Sequence, residues 1–149
     1  YRRDERNPLI VGVEPLDANC IQVSAEAGDI TAVPGPHKSI MVGLNCGTPS
    51  LIAWPLVSKG VDWFTAVDDE AARTAMRDLA SIGIVAGETG AASLAGLEAM
   101  LASDEWSAEG RDLSAATVLI VVTEGATDPD AYEAITGRPP EAIGRVMTA

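Results

Sequence analysis

The apolar positions of this chain fall into short continuous runs separated by segments in which they recur every three or four residues. Leu9-Ile10-Val11-Gly12-Val13 is nearly all apolar and stops at Glu14-Pro15. It reads as a strand buried on both faces, the signature of a parallel sheet. Trp63-Phe64-Thr65-Ala66-Val67 predicts a second strand, with Asp68 placed to cap the helix behind it. Thr117 to Val122, apolar after its threonine and rich in β-branched residues, predicts the third and clearest strand.

Helical spacing fills the intervals. Asp17 predicts the cap of a short helix through Ser24 that Gly28 ends, and Pro49 suits the first turn of a helix reaching about Ser58. Ala72, Ala75, Met76, Leu79 and Ile82 form one apolar stripe, closed by Gly83. Ile84-Val85-Ala86 predicts a brief extended piece before Gly87-Glu88-Thr89-Gly90, and an alanine-rich helix follows from about Ala91 to Leu101. The polar stretch from Asp104 to Asp112 predicts a surface connection, and Asp128-Pro129 a last helix through about Ile135. Strands alternating with helices predict an α/β fold with a mostly parallel sheet flanked by helices. No repeat or long linker divides residues 1–149, which read as a single segment. In such sheets ligands bind beyond the carboxyl ends of the strands. Those ends are Val13-Glu14-Pro15, Val67-Asp68-Asp69 and Val122-Thr123-Glu124-Gly125, with Gly87 to Gly90 a comparable turn.

Charge narrows the function classes. Asp and Glu number 22 against 10 Lys and Arg, a net −12, which is the wrong sign for binding nucleic acid or an anionic membrane. The longest apolar stretch, Ala115 to Val122, falls far short of the roughly 20 residues that cross a bilayer. Tyr1 to Arg6 carries charges with no apolar segment behind them, unlike a signal peptide. Two cysteines do not make a disulfide scaffold. A cytoplasmic location is the expectation. The chain opens on Tyr1 rather than Met, as a trimmed end or a missing N-terminal portion would leave it.

Standard catalytic constellations are absent: there is no Gly-x-Ser-x-Gly, no P-loop and no Gly-x-Gly-x-x-Gly. His37, the single histidine, lies in a Pro/Gly loop and reads as solvated; Cys20 and Cys46 lack histidines at zinc spacing. Glu14, Glu88 and Glu124 each end an apolar run, either as wet loop carboxylates or as charges near helix N-termini. Asp68 and Asp128 read as helix caps, and Thr89 and Thr123 as cap or turn hydroxyls. From the residues alone the chain is an α/β domain with polar loops at its strand ends.

Four motifs carry more than that. Val11-Gly12-Val13-Glu14-Pro15, Ile40 to Gly47, Gly87 to Ala92 and Thr123 to Pro129 occur in this order, and together they resemble the C-terminal part of the diaminopropionate ammonia-lyase family. The resemblance runs from about Leu9 to about Ile135, and Gly-Leu-Asn-Cys-Gly and Thr-Glu-Gly-x-Thr-Asp-Pro are its most specific pieces. It implies a fold-type II (tryptophan-synthase-β-like) enzyme that uses pyridoxal 5'-phosphate (PLP) to convert 2,3-diaminopropionate to pyruvate and ammonia by α,β-elimination. It also implies cofactor-binding roles: Thr123 at the pyridine nitrogen, Glu88 beside the cofactor, and Gly43 in a loop whose backbone approaches it. A small amino-acid substrate and a homodimeric complete form follow from the same resemblance.

The family's cofactor-anchoring lysine, catalytic aspartates and glycine-rich phosphate loop lie upstream of the matched region. The chain is thus expected to be the C-terminal part of the lyase domain, with the N-terminal part absent, supplying one wall of the site and no catalytic residue. Lys38 and Lys59 lie outside the lysine motif and read as surface residues. Asn19 and Cys20 stand where some relatives carry acidic metal ligands, so no metal is expected. Cys20 and Cys46, both inside family motifs, are either two buried free thiols or a disulfide. The alternative functions are a related threonine/serine dehydratase-like lyase and a non-catalytic remnant or small-molecule-binding module.

Overall fold

A computed structural model describes residues 8–143. Its two strands lie where the apolar runs predict them: β1 is Val11–Pro15 and β2 is Trp63–Val67. They pair in parallel, from Val11 opposite Trp63 to Pro15 opposite Val67. A parallel pair needs a long crossover. Here it holds helix α1 (Cys20–Ala27), a 3₁₀ turn at Val42–Leu44 and helix α2 (Trp54–Gly60).

The start of α1 departs from expectation. Asp17 falls within a separate 3₁₀ turn, Leu16–Ala18, and caps nothing. Glu14 caps the helix instead, accepting the amides of Ile21 and Gln22, both at 2.8 Å. Gly28 ends the helix as predicted, in the left-handed conformation at φ 74°.

Asp68 caps helix α3 (Asp69–Ser81), its carboxylate accepting the Ala71 amide at 2.8 Å. Ala72, Ala75, Met76 and Leu79 of the predicted stripe are buried. Ile82 is not: it lies past the helix end and is 66% exposed. Helix α4 (Glu88–Ala102) begins about a turn before the expected start near Ala91, with Gly87 as its N-cap. It packs on α3 and across both strands, and these surfaces enclose the core with Met41, Val67 and Ala86. Gly96 permits that approach, since a methyl there would collide with Val13 of β1.

The polar stretch after α4 is more ordered than its composition suggests. Helix α5 (Asp104–Glu109) starts on the Ser103 hydroxyl, which accepts the Trp106 amide at 3.1 Å, and stops at Gly110 with φ 62°. Trp106 is buried edge-on against Trp63, centroids 5.8 Å apart, and the Arg111 guanidinium lies 5.6 Å from its ring. Asp128 caps helix α6 (Pro129–Thr136), accepting the Ala131 amide, and helix α7 (Pro140–Ile143) follows.

Thr117 to Val122 does not form a strand. Among the described residues only β1 and β2 pair, and this segment finds no ladder partner. Val118, Leu119 and Val121 are 54, 77 and 61% exposed. A strand requires a neighbour that accepts its backbone groups, and propensity cannot replace one. The segment is tied down by side contacts: the Ser93 hydroxyl donates to the Val121 carbonyl at 3.1 Å. Among the described residues no helix is long and apolar enough to cross a membrane.

Candidate functional site

Three segments distant in sequence meet at the start of α4. The Gly87 amide donates to the Glu124 carbonyl at 3.2 Å, and the Thr89 amide donates to the Glu124 carboxylate at 3.0 Å. The Thr89 hydroxyl then accepts the Gly43 amide at 3.2 Å. These contacts bring the loop of the 3₁₀ turn, the first turn of α4 and the stretch after Val122 into one wall. Glycine makes the approach possible. A methyl on Gly87 would strike the Gly125 carbonyl oxygen, and one on Gly90 the Glu124 carbonyl oxygen. A methyl on Gly43 would lie 3.1 Å from the Thr89 methyl, tighter than a relaxed contact.

The wall contains all three residues expected to bind cofactor. Gly43 is exposed on the loop, Glu88 is the half-buried first residue of α4, and Thr123 is exposed beside Glu124. Among the described residues the Thr123 hydroxyl has no hydrogen-bond partner. Glu88 sits where the helix dipole favours a carboxylate. Two members have roles that sequence reading did not assign. Thr89 and Glu124 appear there as a turn hydroxyl and a strand-end carboxylate, yet they bridge 46 and 35 residues of chain. Only the glycine-rich spelling of Gly87 to Gly90 hints at the close packing.

A second cluster joins β1, α1 and the loop. Burial raises the Glu14 carboxyl above its ordinary value, against the lowering pull of the Ile21 and Gln22 amides. Burial also pushes the Cys20 thiol up to about 12, helped by the Glu14 charge and by Cys46. Both cysteines are free; Cys20 is buried and Cys46 is exposed, so the expectation of two buried thiols holds for Cys20 alone. The Cys46 thiol also donates to the Thr48 carbonyl at 3.1 Å.

His37 is less solvated than its loop suggests. It is half-buried, with Nε2 3.0 Å from the Val33 carbonyl, and its ring occupies the space a side chain at Gly47 would fill. Lys38 and Lys59 are exposed, and neither belongs to the three segments of the wall. At the carboxyl ends of β1 and β2 lies an open depression of about 240 Å³, lined by Pro15, Asp17, Ser39, Asp68 and Asp69 among others. Asp69 is committed there, accepting the Ser39 hydroxyl at 2.6 Å and the Ile40 amide at 3.2 Å. Among the described residues no cluster of His, Cys, Asp and Glu is arranged to hold a metal.

Residues 1–124 match the family described as pyridoxal-phosphate dependent enzyme. The chain belongs to that family. It is 34% identical over 145 residues to the diaminopropionate ammonia-lyase of Salmonella typhimurium (strain LT2), an alignment covering 90% of this chain and 36% of that protein. Among solved structures, diaminopropionate ammonia lyase from Escherichia coli, in complex with an aminoacrylate-PLP azomethine reaction intermediate, superposes with a TM-score of 0.69. Identity there is 31%, over 85% of this chain and 33% of that one. A threonine deaminase from T.th. superposes with a TM-score of 0.58 at 30% identity, covering 61% of this chain and 33% of that one. The chain thus spans about a third of the length of the relatives it matches, and its fold is that of the fold-type II PLP enzymes.

The wall leaves the Thr123 side chain exposed, and at Gly43 a side chain would press on Thr89. Lys38 and Lys59, the two lysines of the chain, lie outside its three segments.

Proposed function

We propose that this chain forms the C-terminal wall of the cofactor site in a PLP-dependent lyase that converts 2,3-diaminopropionate to pyruvate and ammonia. The observation that carries the reading is the meeting, through Thr89 and Glu124, of the three segments that hold Gly43, Glu88 and Thr123, in a chain 34% identical to a diaminopropionate ammonia-lyase. When bound, the cofactor serves as the electron sink for the α-carbon of the substrate. In this reading the Thr123 hydroxyl would hold the pyridine nitrogen, and a neutral partner there would leave that nitrogen largely unprotonated, favouring elimination over transamination. Gly43 would let the loop backbone approach the cofactor, and Glu88 would place a carboxylate on the same wall. The anchoring lysine, the α-proton base and the phosphate cradle come from outside this chain, from the N-terminal part of the same lyase domain. The complete form is read as a cytoplasmic homodimer acting on a small amino acid.

The test is substrate comparison in the PLP-loaded enzyme, with pyruvate, 2-oxobutyrate and ammonia measured from 2,3-diaminopropionate, threonine and serine. The expected result is pyruvate from 2,3-diaminopropionate at a kcat/KM far above the other two. Preferential turnover of threonine or serine would transfer the assignment to the dehydratase-like alternative. Failure to take up PLP would overturn both.

A further inference from the structure

The wall is held by two side chains that none of the expected roles employ. Glu124 follows Thr123 directly, and its carboxylate accepts the Thr89 amide at 3.0 Å while its carbonyl accepts the Gly87 amide at 3.2 Å. Thr89 in turn holds the Gly43 amide at 3.2 Å. Each link is specific in kind. A charged acceptor on a helix-terminal amide is the stronger sort of hydrogen bond, and the threonine hydroxyl is the acceptor for an amide that belongs to an exposed loop. The glycines at 43, 87 and 90 leave the space in which these short links form. The Gly43 loop, the α4 start and the Thr123 stretch thus meet through one three-residue chain of contacts.

We propose that Thr89 and Glu124 are positioning residues, which set the Gly43 loop and the Thr123 hydroxyl at a fixed separation around the cofactor. The inference rests on the cofactor-wall reading and extends it by naming what aligns the wall. Neither residue needs to touch PLP. Thr89 acts through the backbone of Gly43, and Glu124 acts through the α4 start and through its own bond to Thr123. Losing either link frees one side of the wall relative to the other, so the cofactor is held less uniformly even though Gly43 and Thr123 are both intact.

The test separates the linkage from the cofactor site. First, amide hydrogen exchange is measured at Gly43 without added PLP, in the wild type, Thr89→Val and Thr89→Ser. Valine keeps the shape and removes the acceptor, whereas serine keeps the acceptor. Exchange at Gly43 is expected to speed up at least about tenfold in Thr89→Val and to return to within about twofold of wild type in Thr89→Ser. Equal exchange in all three overturns the linkage. Second, the PLP-loaded enzyme is followed by visible absorbance, by PLP dissociation and by kinetics in Thr89→Val, Glu124→Ala and Glu124→Gln. The expected result is a shifted absorbance and PLP release faster by about fivefold or more in Thr89→Val and Glu124→Ala, with Glu124→Gln closer to wild type. Faster Gly43 exchange with an unchanged cofactor spectrum and release rate overturns the positioning role and leaves these residues merely structural. Third, in the complete enzyme, PLP should protect residues 41–45 and 121–125 from exchange. If it protects neither, the cofactor-wall reading itself fails, whatever the first measurement gives.

Discussion

The Glu14 carboxylate at the end of β1 holds the Ile21 amide of α1 at 2.8 Å, and the Gln22 amide at the same distance. The strand thereby caps the helix that follows it. Burial nonetheless raises this carboxyl above its ordinary 4.5, so the folded protein takes up the proton more readily than the unfolded chain. The Glu14 contribution to stability is therefore full below about pH 4.5 and is lost as pH rises through the raised folded value. Urea midpoints measured from about pH 4 to 7 should fall less steeply in Glu14→Gln than in wild type. Parallel profiles would show that the proton on Glu14 is not linked to folding. Glu14→Ala, which strips two helix amides of their acceptor, should cost about 1–3 kcal/mol.

The two thiols should differ sharply in reactivity. Alkylation proceeds through the thiolate, and Cys20 is both buried and held near a pKa of about 12, while Cys46 is exposed. Iodoacetamide at about pH 8 is expected to modify Cys46 and spare Cys20 until denaturant is added, as peptide mass spectrometry would show. Equal labelling of both in the native protein would contradict the buried placement of Cys20.

Close packing at the start of α4 gives a steric prediction. A methyl at Gly90 would run into the Glu124 carbonyl oxygen, so Gly90→Ala should destabilise by about 1–3 kcal/mol through overpacking. Gly60, in helix α2, has nothing within 4 Å of the equivalent position. Gly60→Ala should be neutral or stabilise by up to about 1 kcal/mol through helix propensity. Thermal melts of the pair decide it, and equal melting temperatures would refute the steric account.

The Trp106 cluster is an anchor that replaces a long apolar run. Trp106→Ala removes the edge-on contact with Trp63 and the Arg111 contact together. The loss should be about 3–5 kcal/mol, with Trp63 emission shifting red as its ring becomes wetter. An unshifted spectrum and an unchanged melt would mean that α5 contributes nothing to the fold.

Exposed apolar residues around Leu119 make a further prediction for the 149-residue chain by itself. Leu119 and Val121 are 77 and 61% exposed on a segment that has no ladder partner among the described residues, the kind of surface that templates edge-to-edge association. Light scattering should show self-association in the wild type and less of it when Leu119 and Val121 are both replaced by lysine. Equal scattering would place the sticky surface elsewhere.

What sequence reading captured was local. β2 lies where its apolar run predicts, and Asp68, Asp128 and Gly28 cap the helices they were expected to cap, because those signals span a few residues. What escaped it was set by distant neighbours. Thr117 to Val122 has the composition of a strand but no partner among the described residues, and Asp17 yielded its capping role to a glutamate three positions earlier that reaches over it. Polarity hid α5, whose order depends on one tryptophan meeting another 43 positions away. The proposed cofactor-binding residues Gly43, Glu88 and Thr123 rest on motif resemblance, whereas Thr89 and Glu124 stand out only where three segments meet.

The parallel pairing of β1 with β2 sends the chain on a long excursion before it returns to the sheet, and the Gly43 loop is carried on that excursion. The two strands hold their register through their own backbone bonds, so the loop's course is free of the ladder. Substitutions at exposed positions of that excursion, such as Ala32 and Lys38, can therefore accumulate without shifting the sheet, provided that the Gly43 amide still reaches Thr89. In evolutionary terms, the paired strands and the loop that crosses above them can diversify at separate rates.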